Sequence, residues 1–280
     1  MATLDFCTFT GTKNCMNDLI VTLVQTDIVW ENKEANRQNL ESKINSIQTK
    51  TQVVVLPEMF TTGFSMHPEK FAETMNGESV GWMRTIARKK NIILTGSLVI
   101  QDNNQYYNRL VWALPNGQIH HYDKRHLFGY AGEDQHYTAG KNRTIVSVNG
   151  WRILLQVCYD LRFPVWARQE AAAGNLYEYD AIVYVANWPE KRRLPWKTLL
   201  QARAIENMSY VIGVNRVGYD GNNFYHSGDS RIIHPLGTVL YEKADAEDLF
   251  TYTLQKEELE KTRNRFPFAK DADHFNIKTL

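Results

Sequence analysis

Cysteine, net charge and long apolar runs are all scarce in this sequence of 280 residues. Its three cysteines, Cys7, Cys15 and Cys158, are too few for a disulfide framework in a chain of this length and lack metal-ligand spacing. Lysine and arginine number 32 against 31 acidic residues, so the charge of +1 predicts neither a nucleic-acid nor an anionic-membrane partner. The sequence contains no run of roughly 18 apolar residues, so we expect no membrane span. We therefore expect a cytoplasmic protein, in which a reducing environment keeps Cys158 a thiol.

Further absences concern the amino terminus and known site motifs. Residues 1–17 lack a basic segment followed by an apolar one, so we expect no secretory signal and interpret them as a loose extension before a single domain over residues 18–280. No serine stands in a strand-to-helix nucleophile elbow, since the G-x-S-x-G pattern at 77–81 follows no predicted strand, and no phosphate-binding G-x-x-x-x-G-K occurs. The histidines between positions 120 and 136 lack Cys, Asp or Glu partners at ligand spacing, so we expect no metal site.

What the sequence does contain is a series of short apolar runs that end in polar residues. Buried strands are predicted at 19–25, 53–56, 144–148, 151–157, 181–186 and 210–215. Helices are predicted at 33–48, 79–90, 165–173 and 196–207, and consecutive strands at 91–100, 106–114 and 118–122. With a hydrophobic fraction of 43%, this order predicts an α/β sandwich with a sizeable core in one domain.

Chemically useful side chains stand where four predicted strands end. They are Glu58, Lys124, Cys158 and the pair Asn187 and Trp188. Because ligands bind at the carboxyl ends of parallel strands, we expect these groups to lie close together. Taken singly, Cys158 also fits as a small apolar residue and Glu58 as an exposed carboxylate. A carboxylate, an amine and a thiol at three such ends favour a shared site.

The chemistry of these groups is complementary. A thiol is a weak nucleophile until it loses its proton. Glu58 is the candidate to take that proton from Cys158 and to give it to a leaving amine. Lys124 is the candidate to hold the thiolate and, with the backbone N–H of Tyr159, to stabilise an oxyanion. A Cys–His pair with His126 is the alternative arrangement.

Three segments resemble the signature segments of the nitrilase superfamily: 53–58 (VVVLPE), 122–128 (YDKRHLF) and 157–164 (VCYDLRFP). Their Glu, Lys and Cys occur in the family's order, at intervals of 66 and 34 residues. The similarity extends over about residues 19–266, nearly the whole chain. It implies a four-layer α-β-β-α sandwich that associates through its helical layer into an eight-layer dimer. It also implies hydrolysis of a carbon–nitrogen bond through a thioester on the cysteine.

The resemblance further implies a second glutamate in the loop after the lysine, where it positions the substrate and the reacting groups. Glu133 is our match for this residue, with Asp134 as the alternative.

Three other segments are similar to bacterial omega-amidases: 58–64 (EMFTTGF), 186–189 (ANWP) and 202–207 (ARAIEN). True nitrilases usually follow the cysteine with Trp and Glu, which this chain lacks. The resemblance implies hydrolysis of the terminal amide of 2-oxoglutaramate or 2-oxosuccinamate to the 2-oxo diacid and ammonia, without a cofactor. The alternatives are another amidase of the superfamily, acting on N-carbamoyl compounds or a deaminated peptide amide, and a catalytically idle binding or scaffold protein.

A substrate of this kind carries a carboxylate, so its site needs a cation besides the lysine. Arg192 and Arg193 follow Trp188 closely and are candidates for a bidentate contact, although solvated loop charges would look the same in sequence. Phe64 and Trp188 are expected to form apolar walls of a small pocket. Arg162 is expected to brace the turn after the cysteine through a carboxylate.

Overall fold

The computed structural model describes residues 18–170, 175–273 and 275, which form two β-sheets flanked by α-helices. The helices in this part of the chain are α1 (Lys33–Asn45), α2 (Pro68–Phe71), α3 (Glu78–Lys90), α4 (Glu133–His136), α5 (Pro164–Ala167), α6 (Arg193–Asn207) and α7 (Lys256–Arg265). The strands are β1 (Leu19–Gln25), β2 (Val53–Val55), β3 (Ile93–Asp102), β4 (Gln105–Ala113), β5 (Ile119–Asp123), β6 (Ile145–Val148), β7 (Trp151–Val157), β8 (Ala181–Ala186), β9 (Tyr210–Asn215), β10 (Val217–Tyr219), β11 (Tyr225–Ile233), β12 (Val239–Ala244) and β13 (Asp248–Leu254).

Each sheet has a parallel centre and antiparallel edges. The first has the order β13-β1-β2-β3-β4-β5, with β1, β2 and β3 parallel. The second has the order β10-β11-β9-β8-β7-β6, with β12 also paired to β11 and with β7, β8 and β9 parallel. Two antiparallel steps separate β3 from β5, so β5 runs in the same direction as β2. The carboxyl ends of β2 and β5 therefore point to the same end of their sheet.

Alternate residues of the first sheet face two different cores. Val53 and Val55 of β2 belong to a core shared with the second sheet, whereas Val54 packs with α1 and α3. This alternation follows from the two-residue side-chain period of a strand and explains why β2 is apolar throughout. On the second sheet, α6 lies so close to β9 that a Cβ at Gly213 would be 2.6 Å from a methyl group of Leu200. The four-layer α-β-β-α sandwich is thereby confirmed.

The helix predicted at 165–173 is wrong in its carboxyl-terminal part. Helix α5 ends at Ala167, residues 168–170 are not helical, and residues 171–173 lie outside the described residues, as do residues 1–17. Gln169 binds α6 instead: its backbone N–H donates to Asn207 Oδ1 and its side-chain amide donates to the Asn207 carbonyl. These tertiary hydrogen bonds replace those that a longer helix would make.

Within the described ranges, no helix is long and apolar enough to cross a membrane.

A buried ion cluster holds the amino end of β8, away from the strand's carboxyl end. Asp180 pairs with Arg263 at 2.8 Å, with Lys256 at 2.7 Å and with Arg152 at 3.2 Å. Burial alone would raise the pKa of Asp180, but hydrogen bonds from Arg152 and Lys256 and the charge of Arg263 lower it to about 2. The cluster therefore joins β7, β8 and α7 through an ionised carboxylate.

Asp180→Asn is expected to lower the free energy of unfolding at pH 7 by about 3 kcal/mol, because it leaves the buried guanidinium of Arg263 without its carboxylate. The wild-type advantage is complete above about pH 4, near the pKa of an unfolded aspartate. It is lost as the pH falls towards the folded-state value of about 2. Urea denaturation of both proteins across this interval measures the effect. An advantage that does not change between these pH values would contradict the assignment.

Candidate active site

Three charged side chains meet, fully buried, where the strand-end residues converge. Lys124 Nζ donates to Glu58 Oε1 at 3.0 Å and to the two carboxylate oxygens of Glu133 at 2.9 and 2.8 Å. None of the three side chains has exposed surface. An unpaired buried charge is very unfavourable, so these groups depend on one another. The structure thus brings together three of the residues singled out from the sequence.

Hydrogen bonds from both sheets fix Glu58. Its Oε2 accepts from the backbone N–H of Asn187 at 2.7 Å, and its carbonyl accepts from the Asn187 side chain at 2.5 Å. Its Oε1 accepts from Asn108 Nδ2 at 2.7 Å, and the same amide reaches Glu133 Oε1 at 3.3 Å. Glu58 is therefore a buried, oriented carboxylate, and an exposed strand-end role does not apply.

Glu133 begins the short helix α4 and turns its carboxylate inward. Its Oε2 accepts from the backbone N–H of Phe128 at 2.6 Å, in addition to its contacts with Lys124. Asp134 is exposed and lies against Gly129. Of the two acidic residues considered in this loop, Glu133 is the one that reaches the lysine.

Cys158 occupies a strained corner between β7 and a 3-10 turn, Cys158–Arg162. Its φ of 44° lies in the left-handed region, which few residues other than glycine adopt. Such strain is found at functional sites, where the surrounding structure maintains it. The Glu58 carboxylate is near enough to the thiol to raise its pKa. The strand, sharp turn and buried thiol match the geometry of a nucleophile elbow.

The electrostatics of the cluster favour a neutral resting thiol beside a charged lysine. Burial raises the pKa of Cys158 well above its ordinary value, the Glu58 carboxylate raises it further, and Lys124 opposes the shift. Burial would lower the pKa of Lys124, but the carboxylates of Glu133 and Glu58 raise it overall. Burial also raises the pKa of Glu133, as does Glu58, against the opposing charge of Lys124. The thiol therefore keeps its proton in the resting site, and a nucleophilic role would require that the proton first moves to an acceptor.

The hydrogen-bond partner of the His126 side chain is Asp160. Its Nδ1 lies 2.8 Å from Asp160 Oδ1, and its ring stacks on Phe163 with centroids 3.8 Å apart. The engagement of His126 with Asp160, and the effect of Glu58 on the pKa of the thiol, thus favour the carboxylate over His126 as the base. Across residues 18–170, 175–273 and 275, no group of three or more His, Cys, Asp or Glu side chains could hold a metal ion.

A cavity of about 370 Å³ opens onto Cys158 and Lys124. Phe64 and Trp188, the predicted apolar walls of a small pocket, line it, and Tyr159 lines it as well. The Phe64 ring centre is 5.1 Å from Lys124 Nζ, so this ring covers the charged cluster. The volume and lining suit a small organic substrate.

The two candidate arginines, Arg192 and Arg193, differ in their surroundings. Arg192 lines the cavity with its guanidinium 5.0 Å from the Phe128 ring centre. Arg193 is not among the cavity residues and pairs with Asp229 at 2.9 Å.

Arg162 also lines the cavity, 5.1 Å from the Trp188 ring centre. The prediction that it braces the turn through a carboxylate is wrong, since no carboxylate of the described chain pairs with it. Its charge is consequently available to a ligand.

Sequence reasoning assigned no site role to Asn108, Asp160 or His226. Asn108 lies inside β4, where an isolated amide carries no pattern that marks it as part of a site. His226 lines the cavity from β11, a strand in which no motif marks it. Asp160, two residues after the cysteine, stood within a quoted motif, and its burial is the signal that only the structure supplies.

Comparisons with known proteins agree with this geometry. Residues 20–264 match the family model described as carbon-nitrogen hydrolase. The Omega-amidase YafV of Escherichia coli (strain K12) is 45% identical over 265 residues, covering 94% of this chain and 100% of that protein. The 2-oxoglutaramate amidase of Bacillus subtilis (strain 168) is 31% identical, covering 90% and 96%.

Among solved structures, XC1258 from Xanthomonas campestris is 42% identical with a TM-score of 0.91, and the match covers 94% of this chain and 100% of that one. It is described as a CN-hydrolase superfamily protein with an arsenic adduct in the active site. The family model spans most of the chain, and the relatives align over nearly their full lengths. The chain belongs to the carbon-nitrogen hydrolase family of the nitrilase superfamily.

Proposed function

We propose that this protein is an omega-amidase that hydrolyses the terminal amide of 2-oxoglutaramate or 2-oxosuccinamate to the 2-oxo diacid and ammonia. The observation that carries the proposal is the cluster of Glu58, Lys124 and Glu133 beside Cys158, on a cavity that also contains Arg162 and Arg192. The names of the Escherichia coli and Bacillus subtilis relatives support the same substrate class.

The first half of the reaction forms a thioester and releases ammonia. Glu58 accepts the thiol proton while the sulfur of Cys158 attacks the amide carbon. The ammonium of Lys124 and the backbone N–H of Tyr159 stabilise the oxyanion of the tetrahedral intermediate. When the intermediate collapses, the carbon–nitrogen bond breaks, and Glu58 returns the proton to the departing nitrogen.

The second half hydrolyses the thioester. Glu58, again ionised, takes a proton from water as the water oxygen attacks the thioester carbon. The carbon–sulfur bond then breaks and the proton returns to Cys158. The products are a carboxylic acid and a regenerated thiol. Glu133 keeps Lys124 oriented throughout, because it binds the same ammonium with both carboxylate oxygens.

The function is tested by ammonia release from four compounds: 2-oxoglutaramate, glutamine, an aliphatic nitrile and an N-carbamoyl amino acid. We expect a strong preference for 2-oxoglutaramate and no turnover by Cys158→Ala, because that variant cannot form the thioester. Thermal unfolding of Cys158→Ala checks that the variant is folded. Turnover of another compound would place the protein in a different amidase branch. Inactivity on all four would favour the binding or scaffold interpretation.

The substrate carboxylate is expected to bind Arg162, Arg192 or both, since these two candidate arginines line the cavity. Arg162→Met and Arg192→Met should each raise KM for 2-oxoglutaramate by about tenfold or more if both bind it, because a hydrogen bond to a charged group contributes about 1.5 kcal/mol or more. Arg193→Met is the matched control, since its partner is Asp229.

Steady-state kinetics with 2-oxoglutaramate and with a neutral amide of similar length distinguish charge recognition from a general loss of activity. Equal KM increases for both amides, or an effect confined to Arg193→Met, would contradict the assignment.

We also propose that residues 18–280 form one domain, that the protein is cytoplasmic and that it associates into a homodimer through its helical layer. Exposed apolar side chains on this layer support association: Val165 on α5, and Leu194 and Ile205 on α6. A reducing compartment would keep Cys158 reactive.

Light scattering after gel filtration is expected to give twice the mass of 32.5 kDa. Ile205→Glu together with Leu194→Glu is expected to give the monomer mass, because charge in an apolar contact is unfavourable. A monomeric wild-type protein would contradict the proposed dimer.

A further inference from the structure

Asp160 is a fully buried carboxylate with four hydrogen-bond donors around it. Its Oδ2 accepts from the Tyr122 hydroxyl at 2.8 Å and from the Val157 backbone N–H at 3.1 Å. Its Oδ1 accepts from the backbone N–H of His126 at 3.0 Å and lies 2.8 Å from His126 Nδ1. Two carboxylate oxygens offer about four acceptor positions, so this side chain is close to saturation.

These donors belong to the two segments that carry the reacting groups. Tyr122 precedes Lys124 by two residues and His126 follows it by two, whereas Val157 directly precedes Cys158. The lysine segment continues β5 of the first sheet, and the cysteine corner ends β7 of the second. Apolar packing between sheets has no directional preference. The hydrogen bonds of Asp160 therefore supply a directional link between the amine and the thiol.

The partners of Asp160 are themselves held in place. The Tyr122 hydroxyl also accepts from Trp166 Nε1 at 2.9 Å and from the Arg125 backbone N–H at 3.2 Å. Burial and the adjacent charge of Asp160 raise the pKa of Tyr122, so it remains a neutral phenol that donates its proton. The stacking of His126 on Phe163 fixes the orientation of the imidazole.

We propose that Asp160 is a positioning residue that sets the distance and direction between the Cys158 thiol and the Lys124 ammonium. It acts through Tyr122 and His126 on one side and through Val157 on the other. By accepting a hydrogen bond from the Val157 N–H, just before Cys158, it also helps to maintain the left-handed backbone conformation of Cys158. The inference rests on the proposed function for the roles of the lysine and the cysteine.

The test compares Asp160→Asn with Asp180→Asn, another buried aspartate whose partners lie away from the site. Asparagine has nearly the volume of aspartate, but its N–H₂ group is itself a donor. It would replace a carboxylate oxygen that two donors face in the wild-type protein. We expect kcat of Asp160→Asn to fall about 10²-fold with KM unchanged, because a displacement of about 1 Å between reacting groups has an effect of this size. Asp180→Asn is expected to retain kcat even where it unfolds at a lower temperature.

A second measurement does not depend on the amide substrate. The rate at which iodoacetamide alkylates Cys158, followed by mass spectrometry of its peptide, reports the accessibility and reactivity of the thiol. Asp160→Asn is expected to change this rate and Asp180→Asn is not. If the enzyme hydrolyses no amide at all, the alkylation comparison still decides on Asp160, which separates this inference from the proposed function. Equal kcat, or equal alkylation where there is no turnover, in the two folded variants would overturn it.

Milder variants decide the question if Asp160→Asn does not fold. Tyr122→Phe removes one donor to Asp160 together with the oxygen that accepts from Trp166 Nε1 and the Arg125 N–H. His126→Ala removes the imidazole, whereas His126→Asn keeps a side-chain N–H near the position of Nδ1. We expect kcat to fall in the first two and to recover in part in His126→Asn. Full kcat in both Tyr122→Phe and His126→Ala would show that these bonds serve stability alone.

Discussion

The buried contact of one ammonium with two carboxylates is the constraint on which the rest of the structure depends. Lys124 has no exposed surface, and its partners, Glu58 and Glu133, have none either. Removing Lys124 would leave two neighbouring carboxylates without a cation in a medium of low dielectric constant. The fold meets this constraint with amide donors on both carboxylates, from Asn108, and with backbone donors from Asn187 and Phe128. The sandwich is thus organised to hold charge inside, in a geometry that apolar packing alone would not specify.

Most of the architecture could be predicted because its strands are buried on both faces. The runs that become β1, β7, β8 and β9 are nearly continuous in apolar residues, and the structure places each at the predicted residues. Polar residues that end such runs are conspicuous, which is why Glu58, Lys124 and Cys158 could be grouped before the fold was known. The resemblance to the superfamily supplied Glu133, which stands in a loop where no periodicity marks it.

What could not be predicted depends on contacts between distant residues. The segment after α5 leaves the helix because Gln169 binds Asn207, a partner on a different element. Arg162 lies over Trp188 rather than beside a carboxylate, and nothing in the adjacent sequence distinguishes these two arrangements. Asp160 and Asn108 are polar residues within otherwise ordinary segments. Their importance follows from burial and from the donors that reach them, which are properties of the folded chain.

The uneven distribution of charge around the cavity bears on the release of the product. The substrate amide is neutral where it meets Cys158, but hydrolysis converts it into a carboxylic acid that ionises near neutral pH. The new anion then lies beside the carboxylates of Glu58 and Glu133, which outnumber the single ammonium of Lys124. Like charges in a poorly solvated site repel one another strongly. In the proposed mechanism, the cluster beside the thiol therefore also repels the newly formed carboxylate, and this repulsion would oppose product inhibition.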